Sequence, residues 1–140
     1  MRAAGLLPRG LLAAAIFTGG CSDRGASVLQ DPAPDPEPTV SFSDDVQPIF
    51  DARCIVCHDS DGPSGLTLLS GVSYGELVGV TAAGYAALRI APGDPENSVL
   101  YHKITDSGLY GGIMPAVGPP LTAEQISAIA TWIEEGALDN

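Results

Sequence analysis

The segment Cys54–His58, CIVCH, places two thiols and an imidazole within five residues and narrows the chemistry of this chain more than any other stretch. A structural zinc site needs four ligands. Outside this motif the chain offers only Cys21 and His102 as further Cys or His groups. A redox-active C-x-x-C belongs beside a strand–helix unit, and no strand-like alternation of useful length is present. A disulfide across so short a loop would be strained. The remaining reading of C-x-x-C-H is covalent attachment of one c-type haem. One helical turn brings both thiols to the porphyrin vinyl groups, forming thioethers at Cys54 and Cys57. The adjoining His58 then points its imidazole at the iron as the proximal ligand.

Haem iron takes a sixth ligand from His, Met, Cys or Tyr, or leaves that position open. Beyond Met1 the chain holds one methionine, Met114, and His102 is its only other histidine. Met114 lies 56 residues after His58, in the stretch YGGIMPAVGPP, residues 110–120. Gly and Pro rule out regular helix or strand there. Such a loop can fold over the distal face, and Pro115 biases the backbone of Met114 toward extended geometry. Met114 is the expected distal ligand, and His102 on a predicted helix is the alternative.

The N-terminus reads as an export signal. Arg2 and Arg9 flank a short apolar run, residues 10–17, too short to span a bilayer. The ending TGGC resembles a bacterial lipoprotein lipobox, with Thr18 where leucine is usual. That resemblance implies cleavage after residue 20 and diacylation of Cys21; ordinary signal-peptidase cleavage leaving a free thiol is the other reading. Both place the protein outside the cytoplasm, in the periplasm or cell envelope. Ser22 after Cys21 leans toward the outer membrane by the enteric sorting pattern. Residues 21–40 are acidic and carry Pro32, Pro34, Pro36 and Pro38, a composition suited to an extended linker. The folded domain is expected over 41–140.

The formal charge is −11. Without residues 1–20, which hold Arg2 and Arg9 and no acid, four bases stand against 17 acids, a charge of −13. This repels nucleic acid and anionic headgroups and favours a protein partner with a basic docking face.

The periodicity predicts an all-α domain with much loop. Ser43 is the expected N-cap of a first helix carrying Val46, Ile49 and Phe50. SYGE, Ser73–Glu76, fits a capping box for a short helix to about Val80. Asp94 and Pro95 open a third helix bearing Val99, Leu100 and Ile104. Thr122 and Gln125 form a second capping box, and Gly136 ends that last helix.

Together, SFSDDVQPIFDARCIVCHDSDGPSGLTLLSG, APGDPENSVLYHKI and GGIMPAVGPPLTAEQISAIATWIEEGA resemble a small bacterial class I cytochrome c domain over about residues 41–138. The resemblance implies helices wrapped around one haem, with the first and last crossing. It implies Phe50 and Trp132 as core partners and Ile129 and Ile133 lining the haem side. It implies a backbone carbonyl of the GPSGL loop, that of Pro63, receiving the His58 ring N–H. Arg89, Tyr85 and Tyr101 are candidates to meet the propionates. One-electron transfer between extracytoplasmic redox proteins, without enzymatic activity, is the implied function. A haem enzyme or gas-sensing module with a displaceable sixth ligand is the alternative.

Overall fold

The structure, a computed structural model, describes residues 36–60 and 62–140. The expected leader, the lipid site Cys21 and the linker as far as residue 35 lie outside the described residues. Among those described, four α-helices carry the fold: α1 (Gln47–Arg53), α2 (Ser73–Leu77), α3 (Val99–Ile104) and α4 (Ala123–Glu134). Extended contacts amount to isolated bridges, such as Val78 with Ile90. The fold is all-α, as expected.

The first helix starts differently from the expectation. Ser41, not Ser43, is the cap, its hydroxyl accepting from the Asp44 amide at 3.2 Å. The Ser41 amide donates back to Asp45 at 2.8 Å. Phe42–Val46 then wind as a single π-helical turn before α1. That turn buries Phe42 and Val46 together. Pro48 falls in the first turn of α1, where proline's fixed φ is tolerated.

The short helices also depart in detail. Ser73 does not cap α2; its buried hydroxyl donates to the Gln47 side chain. Asp94 caps only a 3₁₀ turn, Pro95–Asn97. Ser98 separates that turn from α3, because its hydroxyl is spent on the Asp94 carbonyl at 2.8 Å and receives the Ala91 amide at 2.8 Å. The last helix matches its pattern. Thr122 and Gln125 exchange reciprocal cap bonds of 3.0 and 3.3 Å, and Gly136 turns the chain at φ +100°.

The π-turn, rather than α1 itself, packs on α4. Phe42 is therefore the aromatic hub, its ring centroid 5.0 Å from Trp132, 5.4 Å from Tyr74 and 6.3 Å from Phe50. The expected pairing of Phe50 with Trp132 runs through it. Thr39 and Val40 also join the domain, both donating to the Glu135 carboxylate at the end of α4. Gln47, nearly buried, donates to the Leu68 carbonyl at 3.0 Å and so ties α1 to the segment beyond the cysteine motif.

Candidate functional site

The cysteine motif is a continuation of α1. Cys54 N–H bonds to Phe50 O at 2.8 Å, and His58 N–H to Cys54 O at 2.9 Å. This helical winding keeps Cys54, Cys57 and His58 on one cavity. Neither Cys54 nor Cys57 forms a disulfide. Burial pushes the Cys54 thiol up to about 11, against the opposing charge of Arg53. A thiol that stays protonated at neutral pH is a poor redox dithiol, which needs a lowered value.

The cavity holds about 680 Å³, within the ~300–1,000 Å³ usual for small-molecule and cofactor sites. Leu66, Leu68, Leu77, Val99, Leu100 and Ile104 give it apolar walls, and Met114 and Pro115 line it too. Val56 and Val117, each 84% exposed, mark its mouth. Ile129 and Ile133 do not line it; both are fully buried in the core behind.

His58 is oriented from behind. Its Nδ1 lies 3.3 Å from the carbonyl oxygen of Leu66. A carbonyl only accepts, so Nδ1 carries the proton and Nε2 keeps its lone pair for a metal. The acceptor belongs to the GPSGL loop but is Leu66, not Pro63. The Pro63 carbonyl is already engaged by the Leu66 amide in the 3₁₀ turn at 3.3 Å. Gly62 is needed beneath it: a Cβ there would press into the Leu66 carbonyl oxygen and stand 3.0 Å from the His58 Cα. The Leu68 amide binds the His58 carbonyl at 2.7 Å, closing the same loop.

Met114 reaches the cavity from the 110–120 loop. Its amide donates to the Lys103 carbonyl at 2.7 Å, hanging the loop from the end of α3. The Met114–Pro115 peptide is cis. Gly111, at φ +87°, makes a turn that a side chain would resist.

His102 lies elsewhere. It is buried rather than on the surface, and it does not line the cavity. Its Nε2 donates to the Glu96 carbonyl at 2.7 Å, and its Nδ1 accepts from the Ser107 hydroxyl at 2.9 Å. Both ring nitrogens are occupied. Of the three propionate candidates, Arg89 and Tyr85 line the cavity and Tyr101 does not. Arg89 donates to the Glu76 carbonyl at 2.7 Å, to its carboxylate at 3.1 Å and to the Gly65 carbonyl at 3.2 Å. Sequence reasoning passed over Arg53 and Lys103, which also line it. Arg53, Arg89 and Lys103 are all the Lys and Arg of the described residues, and no described Asp or Glu lines the cavity. Their signal was available in the scarcity of bases in so acidic a chain.

Two free thiols, an imidazole with an open Nε2, a thioether and apolar walls fit a covalently held porphyrin. Among the described residues no three His, Cys, Asp or Glu side chains gather as a site for a bare metal ion. An all-helical fold around such a cavity defines a small haem-holding domain.

The comparisons agree. The chain belongs to the cytochrome c family, whose model, described as Cytochrome c, matches residues 43–137. The family's cofactor is covalent haem c with its iron. The chain is 33% identical to the fructose dehydrogenase cytochrome subunit of Gluconobacter japonicus, over 68% of this chain and 19% of that protein. It is 28% identical to hydrazine synthase subunit alpha of Kuenenia stuttgartiensis, over 87% of this chain and 18% of that one. The chain thus spans about a fifth of these relatives' lengths. A solved Kuenenia stuttgartiensis hydrazine synthase is similar over 70% of this chain and 16% of its own, with a TM-score of 0.48 and 24% identity.

Proposed function

We propose that this chain is a mono-haem, membrane-tethered electron carrier outside the cytoplasm, attached through Cys54 and Cys57 and ligated by His58 and Met114. The observation that carries it is the meeting of these four side chains on one apolar cavity. Haem c bound there supplies a one-electron couple at its iron. The rest falls to the chain. The two thiols fix the cofactor covalently. The Leu66 carbonyl holds the His58 tautomer and raises its basicity as a ligand. The apolar walls keep water from the site.

Export, a lipid on Cys21 and the acidic linker complete the reading. Cytochrome c domains are typically extracytoplasmic, and no helix among the described residues is long and apolar enough to cross a membrane. Both named relatives are enzyme subunits, which favours an enzyme as the redox partner. The acidic surface suits steering toward a basic face. A haem enzyme or gas sensor with a displaceable sixth ligand would need a distal acid–base group; His102, with both nitrogens engaged, does not reach the cavity.

The deciding experiment is expression with a haem-maturation system, followed by spectra and a redox titration of the wild type and Met114→Ala. A ferric sulfur-to-iron band lost in the variant, and a reversible couple in the wild type, are expected. An unchanged variant spectrum refutes the Met114 assignment. Rapid carbon monoxide binding by the reduced wild type would favour the enzyme or sensor reading. Radiolabelled fatty acid incorporated in a Cys21-dependent manner tests the anchor.

A further inference from the structure

The 110–120 loop has little of its own to hold it. Pro115, Pro119 and Pro120 have no amide donors, and Gly111, Gly112, Ala116, Val117 and Gly118 are exposed. Its fixation comes from outside. At its start, the Tyr85 hydroxyl donates to the Tyr110 carbonyl at 2.6 Å, with the two rings 5.1 Å apart. At its end, the Arg53 guanidinium donates to the Pro119 carbonyl at 2.5 Å and reaches the Pro120 carbonyl at 3.4 Å. Both side chains line the same cavity as Met114. Arg53 is also the last residue of α1, directly before Cys54.

We propose that Arg53 and Tyr85 are positioning residues that hold the Met114 loop closed over the cavity, and so set how readily the sixth position exchanges. The inference rests on Met114 as the distal ligand. The two bonds act at opposite ends of the loop, and the Lys103 carbonyl holds its middle. Removing either end leaves Met114 hung from a single backbone bond and one remaining tether. The loop then opens more often, and an added ligand meets an accessible iron for a larger fraction of the time. Apparent affinity for such a ligand rises by the same factor as the open population.

The test is imidazole titration of the ferric holoprotein, with the sulfur-to-iron band and a thermal melt recorded for each variant. Tyr85→Phe and Arg53→Gln are expected to bind imidazole about tenfold more tightly, the factor corresponding to the loss of one good hydrogen bond. Arg53→Lys, which keeps a charged donor, should fall between. Tyr74→Phe is the control: it removes a Tyr-to-carbonyl bond of 3.0 Å to Ala137, outside the cavity. It should lower the melting temperature and leave imidazole affinity unchanged. Arg53 adjoins a haem-bearing cysteine, so if Arg53→Gln matures poorly, Tyr85→Phe decides alone. Wild-type imidazole affinity in Tyr85→Phe, with the band lost in Met114→Ala, overturns the positioning role and leaves the ligand assignment standing. A band that survives Met114→Ala overturns both.

Discussion

The Nδ1 of His58 lies 3.3 Å from the carbonyl oxygen of Leu66, and that oxygen leaves no room for a side chain on Gly62. Gly62→Ala should therefore disturb the imidazole, not only the loop. Overpacking of this kind costs about 1–3 kcal/mol. We expect a lower melting temperature together with a shifted reduction potential in the holoprotein. A variant that melts lower at an unchanged potential would show that the Leu66 carbonyl does not tune His58.

His102 separates packing from ligation. His102→Gln removes at least one of two bonds at a buried site, and an unpaired buried acceptor costs about 1–3 kcal/mol. Thermal melting should report that loss while the ferric spectrum keeps its sulfur-to-iron band. Disappearance of the band would bring His102 back into consideration as a ligand.

Glu135 gives a pH-dependent contact. The Thr39 hydroxyl, the Thr39 amide and the Val40 amide stabilise its carboxylate and hold it below the ordinary carboxylate value. A lowered value in the folded state means the contact stabilises above the ordinary carboxylate range. That contribution is lost as the pH falls through the lowered value. Hydrogen exchange at the Thr39 and Val40 amides, divided by the intrinsic rate at each pH, should show an excess on acidification as protection is lost. Glu135→Gln should abolish the excess, and an identical profile in the variant would remove Glu135 as the cause.

Phe42 is the position where truncation should hurt most. From the π-turn its ring meets those of Phe50 in α1, Tyr74 in α2 and Trp132 in α4. Phe42→Ala should cost about 3–5 kcal/mol by denaturant titration. Its effect on the spectrum of the surviving folded fraction should be small, because Phe42 does not line the cavity.

What could be read from the sequence was which side chains meet on one cavity. Cys54, Cys57 and His58 announce themselves by spacing, and Met114 by being the lone internal methionine in a Gly/Pro loop. The last helix was legible because both its capping box and its glycine stop are local signals. The misread features depend on backbone carbonyls or on distant partners. Pro63 and Leu66 offer the same acceptor in a sequence, and only the 3₁₀ turn engages the first and frees the second. Ser41 and Ser43 are equally good caps until the π-turn chooses between them. His102 gave no sign of its burial, because nothing nearby reveals that Glu96 and Ser107 close around it. Arg53 showed no role until its carbonyl partners, 66 and 67 residues away, came beside it.

The cavity is bordered by Arg53, Arg89 and Lys103 and by no described acid, in a chain of net charge −11. Arg89 is paired with the Glu76 carboxylate, so the positive charge at the opening rests on Arg53 and Lys103 within an acidic chain. An anionic guest meets the repulsion of the chain's net charge, offset locally by these two cations. A porphyrin bearing two carboxylates has the charge such an opening selects. Once seated, its carboxylates would offset part of that local positive charge.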